Sequence, residues 1–87
     1  MRLVIIKWVD SSQPISHWQH LSNYKPSECI EVVSVGFLIN ESKDVFALAP
    51  NIGDMDNEDN IQASGIIHIS VKSIKGMRDL PSDMETL

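Results

Sequence analysis

The run LVIIKWV over residues 3–9 is dense in β-branched side chains and places apolar groups at both odd and even positions. That pattern predicts a first strand with two apolar faces. Residues 29–39, CIEVVSVGFLI, predict a long second strand, and Gly36 in its interior predicts a bulge or sharp bend, by which one strand would serve two sheets. ESKD then predicts a tight reversal into VFALAP, a third strand ended by Pro50. SGIIHISV predicts a fourth strand and SIKGM a fifth, and the link around Val71 and Lys72 is too short for a crossover helix. The pattern breaks in DSSQPISHWQHLSNYKPSE. There Ser12 can cap a short helix with Pro14 in its first turn, and Ile15, Trp18 and Leu21 fall on one side of it. Pro26 stops such a helix soon after Tyr24.

The fold class expected is all-β, with one short helix or turn, in a single domain over residues 1–80 followed by a flexible tail over 81–87. The segments VVSVGFLINESKDVFALAP and GIIHISVKSIKGM resemble the two halves of an Sm-type fold, in which a bent strand and hairpin precede a glycine-led pair of strands. The resemblance covers residues 29–78 and is one of pattern. Sm-type proteins usually open with a helix, whereas here a strand comes first, and in this the chain looks more like an SH3 barrel with a long first loop. The implied architecture is a small five-stranded SH3-like or Sm-like barrel. The spacing KWVDS, W, SVGFLI, ALAP, GIIHIS also resembles small uncharacterised phage and prophage proteins. That resemblance implies a mobile-element origin and no particular activity.

Composition narrows the function classes. With 43% hydrophobic and 22% charged residues, the chain has the make-up of a folded domain. Its net charge of −5 is local, because Asp54, Asp56, Glu58 and Asp59 supply four of the twelve acidic groups. No cluster of Lys and Arg offers a footprint for a phosphate backbone, so nucleic acid is disfavoured as a partner. Cys29 is the single cysteine, which excludes an internal disulfide and an intrachain thiolate zinc site, and on a strand it is expected to act as a small apolar filler. The N-terminal apolar run is broken by Lys7 and Asp10, too soon for a signal or a membrane span. The expected location is the cytoplasm, the host's if the protein is phage-encoded.

Two stretches carry candidate chemistry. The acidic stretch fails as an EF-hand loop: counted from Asp54, the sixth position is Asp59 where glycine is needed, and the twelfth is Gly65 where a bidentate glutamate is needed. It reads as a solvated hairpin-type connection able to meet a basic protein surface. The segment around Trp8, Asp10, His17, Trp18, His20 and Tyr24 contains both tryptophans, the one tyrosine and two of three histidines. Aromatic faces beside imidazoles can stack a base and bind anionic oxygens. In the alternative reading Trp8 and Trp18 seal the barrel mouth and the histidines lie on the surface. His17, His20 and Asp10 have a weakly specific metal-ligand spacing, and no metal or other cofactor is expected. His68 stands alone between Ile67 and Ile69, as a face or interface residue. No nucleophile elbow or phosphate-cradling glycine loop is present, so no catalytic residue is assigned.

The expectation is a non-enzymatic binding protein, homo-oligomeric because two strands are apolar on both faces, acting through protein–protein contacts as an assembly factor or adaptor. The alternative is a protein that sequesters a small nucleotide-like ligand at a subunit junction and so blunts a host defence signal. An Sm-type RNA-binding module ranks third.

Overall fold

The structure is a computed structural model that describes residues 1–10, 18–26 and 28–81. The chain is mainly β. Its strands are β1 (Leu3–Asp10), β2 (Ile30–Glu41), β3 (Val45–Ala49), β4 (Asn51–Gly53), β5 (Gln62–Ser64), β6 (Ile67–Ser70) and β7 (Ile74–Asp79). Five of them form an antiparallel sheet in the order β6-β3-β2-β1-β7, and β4 pairs with β5 in a second, two-stranded sheet. β2 pairs with β1 and β3 only, so it does not join the two sheets by hydrogen bonds.

The short link between β6 and β7 dictates the shape of the large sheet. These two strands are its opposite edges, yet they are joined by a three-residue 3-10 turn, Val71–Ser73. Four strand spacings in a flat sheet would separate the edges by roughly 19 Å, whereas a 3-10 turn advances about 2 Å per residue. The sheet therefore rolls until its edges approach at that end. The Val71 N–H donates to the Asp44 carbonyl at 2.9 Å, which pins the turn against the β2–β3 reversal. β6 and β7 do not hydrogen-bond to each other, so the sheet curls without closing its ladder.

Period-2 alternation fills the inside of the roll. Val4 and Ile6 from β1, Leu48 from β3 and Ile69 from β6 form the buried cluster, and Trp8, Leu38, Phe46 and Ile74 pack against it. With Ala47 and Ala49, the four cluster residues make six buried hydrophobic side chains among the described residues. The core is small, and the other apolar face of β1 and β2 is turned outward.

Two irregularities shape the ladders. The expected bulge at Gly36 lies elsewhere: Gly36 pairs in register with Val4, and the register shift falls between Leu38 and Asn40. Gly36 answers a different need, the close approach of β3, since a Cβ there would sit 2.8 Å from the Ala49 carbonyl oxygen and 3.0 Å from Leu48 Cγ. A second shift, between Lys7 and Trp8, leaves Lys75 of β7 unpaired in the β1–β7 ladder.

The β3, β4, β5 and β6 strands are one long hairpin. Leu48 pairs with Ile67 and Asn51 with Ser64, three residues further along each strand, so one register runs through both ladders. It is interrupted at Pro50 and Gly65. Pro50 has no N–H to give, while Gly65 adopts φ +74° and a Cβ on it would lie 3.0 Å from Pro50 Cγ. Gly65→Ala is expected to cost roughly 1–2 kcal/mol, the penalty for a side chain in left-handed backbone. The loss should appear as a lower Tm and faster hydrogen exchange at Ile52 and Ala63, and an unchanged Tm would show that the pinch relaxes.

The helix expected around Ile15–Leu21 is replaced within the described residues by a single 3-10 turn, Leu21–Asn23, entered from extended backbone at His20. Ser12, Pro14 and Ile15 lie outside the described residues, as do 82–87 of the expected tail.

Candidate functional site

The six residues of the polar-aromatic segment do not share one environment. Trp8 faces the core from β1, between Val32 of β2 and Ile74 of β7, and its indole N–H donates to Ser34 Oγ at 3.0 Å. A part-buried indole needs such an acceptor, so this side chain is committed to the fold. Asp10 ends β1 opposite Ile30 and is exposed. Trp18 is fully exposed, and Leu21, His20 and Tyr24 are exposed with it. Trp8 alone therefore packs against the core, and Trp18 offers a bare indole to solvent. His17 lies outside the described residues.

The acidic residues sit at the tip of the long hairpin. Asp54 turns the chain at φ +54°, a conformation Asp tolerates better than most residues. Its carbonyl accepts from the Asn57 N–H at 3.1 Å, and its carboxylate accepts from Asn60 Nδ2 at 2.7 Å. Asn57 Oδ1 in turn accepts from the Asp59 N–H at 3.3 Å. Internal hydrogen bonds thus order the tip while the carboxylates of Asp56, Glu58 and Asp59 point to no cation among the described residues. Among those residues, no three His, Cys, Asp or Glu side chains converge as a metal site. His68 is exposed on β6 opposite Ala47. Cys29 corrects the expectation of an apolar filler: it precedes β2 and is exposed.

A third surface was not anticipated. Across the outside of β7, β1 and β2, Ile5, Lys7, Val33, Gly76, Met77 and Arg78 line a shallow groove of about 300 Å³. Its apolar floor continues along β2, where Val33 and Val35 keep 58% and 50% of their surface in solvent. Gly76 leaves a notch, with nothing within 4 Å of where a Cβ would be. Lys7 pairs with Glu31 at 3.0 Å, and Arg2 bridges Asp79 at 3.0 Å and Glu41 at 3.5 Å. These are exposed pairs, each worth about 1 kcal/mol or less. Arg78 has no acidic partner among the described residues. The sequence does hold a signal for this groove. Both parities of LVIIKWV are apolar, and one parity is left over once Val4, Ile6 and Trp8 turn inward.

Compared with known protein families, with curated proteins and with solved structures, the chain matches none.

Proposed function

We propose that this is a small non-enzymatic protein that works as a homo-oligomer and engages a further protein, in an assembly or adaptor role. The observation that carries the reading is the ratio of covered to uncovered apolar surface. Against six buried hydrophobic residues among those described stand the exposed Trp18 and Leu21, Ile30 at 66% exposure, and the outward face of Val33 and Val35. Val33 and Val35, with Ile5 across from Val35, lie on one face of the sheet, and an exposed apolar patch of that kind marks contact with another chain. β6 and β7 are open edges, and an open edge presents unpaired N–H and C=O groups for pairing. The strand order, with edges joined by a 3-10 turn, supports an SH3-like or Sm-like architecture for the rolled sheet. A phage-encoded protein of this design would act in the host cytoplasm, where a basic partner surface would complement its acidic tip.

Sedimentation equilibrium from nanomolar to high micromolar concentration tests the reading, and a monomer throughout would overturn it. Trp18→Ala is expected to leave Tm unchanged within the ~0.5 kcal/mol usual for surface substitutions. It should weaken self-association about tenfold, or 1.4 kcal/mol, if Trp18 lies in the subunit contact.

The bare indole of Trp18, with Tyr24 exposed in the same segment, favours a second reading, capture of a nucleotide-like ligand by stacking. Base–aromatic stacking contributes about 1–3 kcal/mol per base. Native mass spectrometry should then find nucleotide-sized mass on the protein purified from cells, and Trp18→Ala should abolish thermal stabilisation by added nucleotide. A native mass that is a whole multiple of the denatured chain mass, with no excess, would remove this reading.

A further inference from the structure

We infer that the acidic hairpin arm of one copy seats in the β7–β1–β2 groove of a second copy, joining subunits head to tail. This rests on the homo-oligomer reading and names the surfaces that would build it.

The arm, residues 51–64, is an ordered two-stranded ladder exposed along almost its whole length, with β5 exposed throughout and Ile52 alone partly covered in β4. An isolated two-stranded hairpin is marginally stable in water. A cover from another chain would give this one the packing partner that the described residues of its own chain do not supply. Its side chains suit an apolar groove with a basic rim. Met55 and Ile61 are exposed at the tip, interleaved with Asp54, Asp56, Glu58 and Asp59, and no Lys or Arg occurs from Asn51 to Val71.

The groove has the complementary make-up. Ile5 and Val33 supply apolar surface, Gly76 leaves room for an inserted side chain, and Lys7 and Arg78 form the basic rim. Arg2 with β1, β2 and β7 carries four cations, Arg2, Lys7, Lys75 and Arg78, against Asp10, Glu31, Glu41 and Asp79, so the complementarity is local to Arg78. Of the two cations that line the groove, Arg78 has no acidic partner among the described residues and can meet an incoming carboxylate, whereas Lys7 pairs with Glu31. Arm and groove are different surfaces of one chain, so each copy carries one of each. The contact is heterologous and propagates until a ring closes or a filament grows.

Reciprocal charge reversal in the full chain tests this. Arg78→Glu alone, and Glu58→Lys with Asp59→Lys, should each lower the association constant at least tenfold by sedimentation velocity. An equimolar mixture should restore assembly, because each variant's altered surface then meets its complement. Gly76→Val supplies a variant without charge change: the open space at Gly76 predicts a fold as stable as wild type by thermal melting, with assembly weakened because the notch is filled. An assembly that withstands all three variants overturns the arm-in-groove contact, leaves the homo-oligomer reading standing, and gives the groove to another occupant. A wild-type chain that stays monomeric overturns both.

Discussion

Leu48→Ala is expected to remove most of the stability of this protein, a loss of about 3–5 kcal/mol. Leu48 is 1% exposed and belongs to a small cluster with Val4, Ile6 and Ile69, backed by the partly buried Trp8, Leu38, Phe46 and Ile74. Two features put the expected loss at the upper end for a leucine truncation. The neighbours on the ladder, Leu38 and Ile67, are held by backbone pairing and cannot collapse into the space. Gly36 across from it contributes no side chain that could swing in. A domain of this size has on the order of 5 kcal/mol to lose. Because 1 kcal/mol shifts Tm by about 4–8 °C in domains of 60–100 residues, the melting temperature should fall by roughly 12–40 °C. Thermal unfolding followed by circular dichroism reads this directly. A loss below about 1 kcal/mol would mean that the interior can repack.

Gly36→Ala is expected to be nearly as damaging, through crowding. The added methyl would meet the Ala49 carbonyl oxygen at 2.8 Å and carbon at 3.0 Å, and these are backbone atoms fixed in the ladder. Overpacking of this kind costs about 1–3 kcal/mol, and the fixed partner sets the expectation near 3. The control is Gly76→Ala, where a Cβ meets nothing within 4 Å. There the reduced entropy of the unfolded chain should leave stability unchanged or raised by about 0.4–1 kcal/mol. The double variant Gly36→Ala with Leu48→Ala separates the two contacts at Gly36. The clash with Leu48 Cγ at 3.0 Å disappears with the side chain, while that with Ala49 remains. Its loss should therefore be smaller than the sum of the single losses, by an amount that measures the Leu48 share. Full additivity would show that the backbone contact carries the whole effect.

The two surfaces nominated from residue type fared differently once placed on the fold. The acidic stretch was legible as a hairpin connection, because its charges have no apolar neighbours dense enough to form a strand. The structure adds that the hairpin is the far end of a longer one. QAS and NIG are too short and too polar to announce themselves as strands, and their pairing is carried by the register that β3 and β6 establish. In the aromatic segment, composition alone could not divide Trp8 from Trp18. Trp8 lies on the same parity as Val4 and Ile6 and is drawn inward with them, whereas Trp18 has no ladder to hold it against the core.

Local alternation determined which segments are strands, because side chains on a pleated chain alternate faces every residue and a buried face demands a matching apolar parity. It placed β1, β2, β3, β6 and β7, the reversal at Ser42–Asp44, and an excess of apolar faces over what one small core can cover. Tertiary structure alone decided which parity becomes core, that the edges β6 and β7 are brought together by three residues, and that Gly36 marks a close backbone approach two residues before the bulge region. Those outcomes depend on contacts between residues far apart in the chain. No local pattern encodes them, since the same alternating strand serves equally well until a neighbouring strand chooses its face.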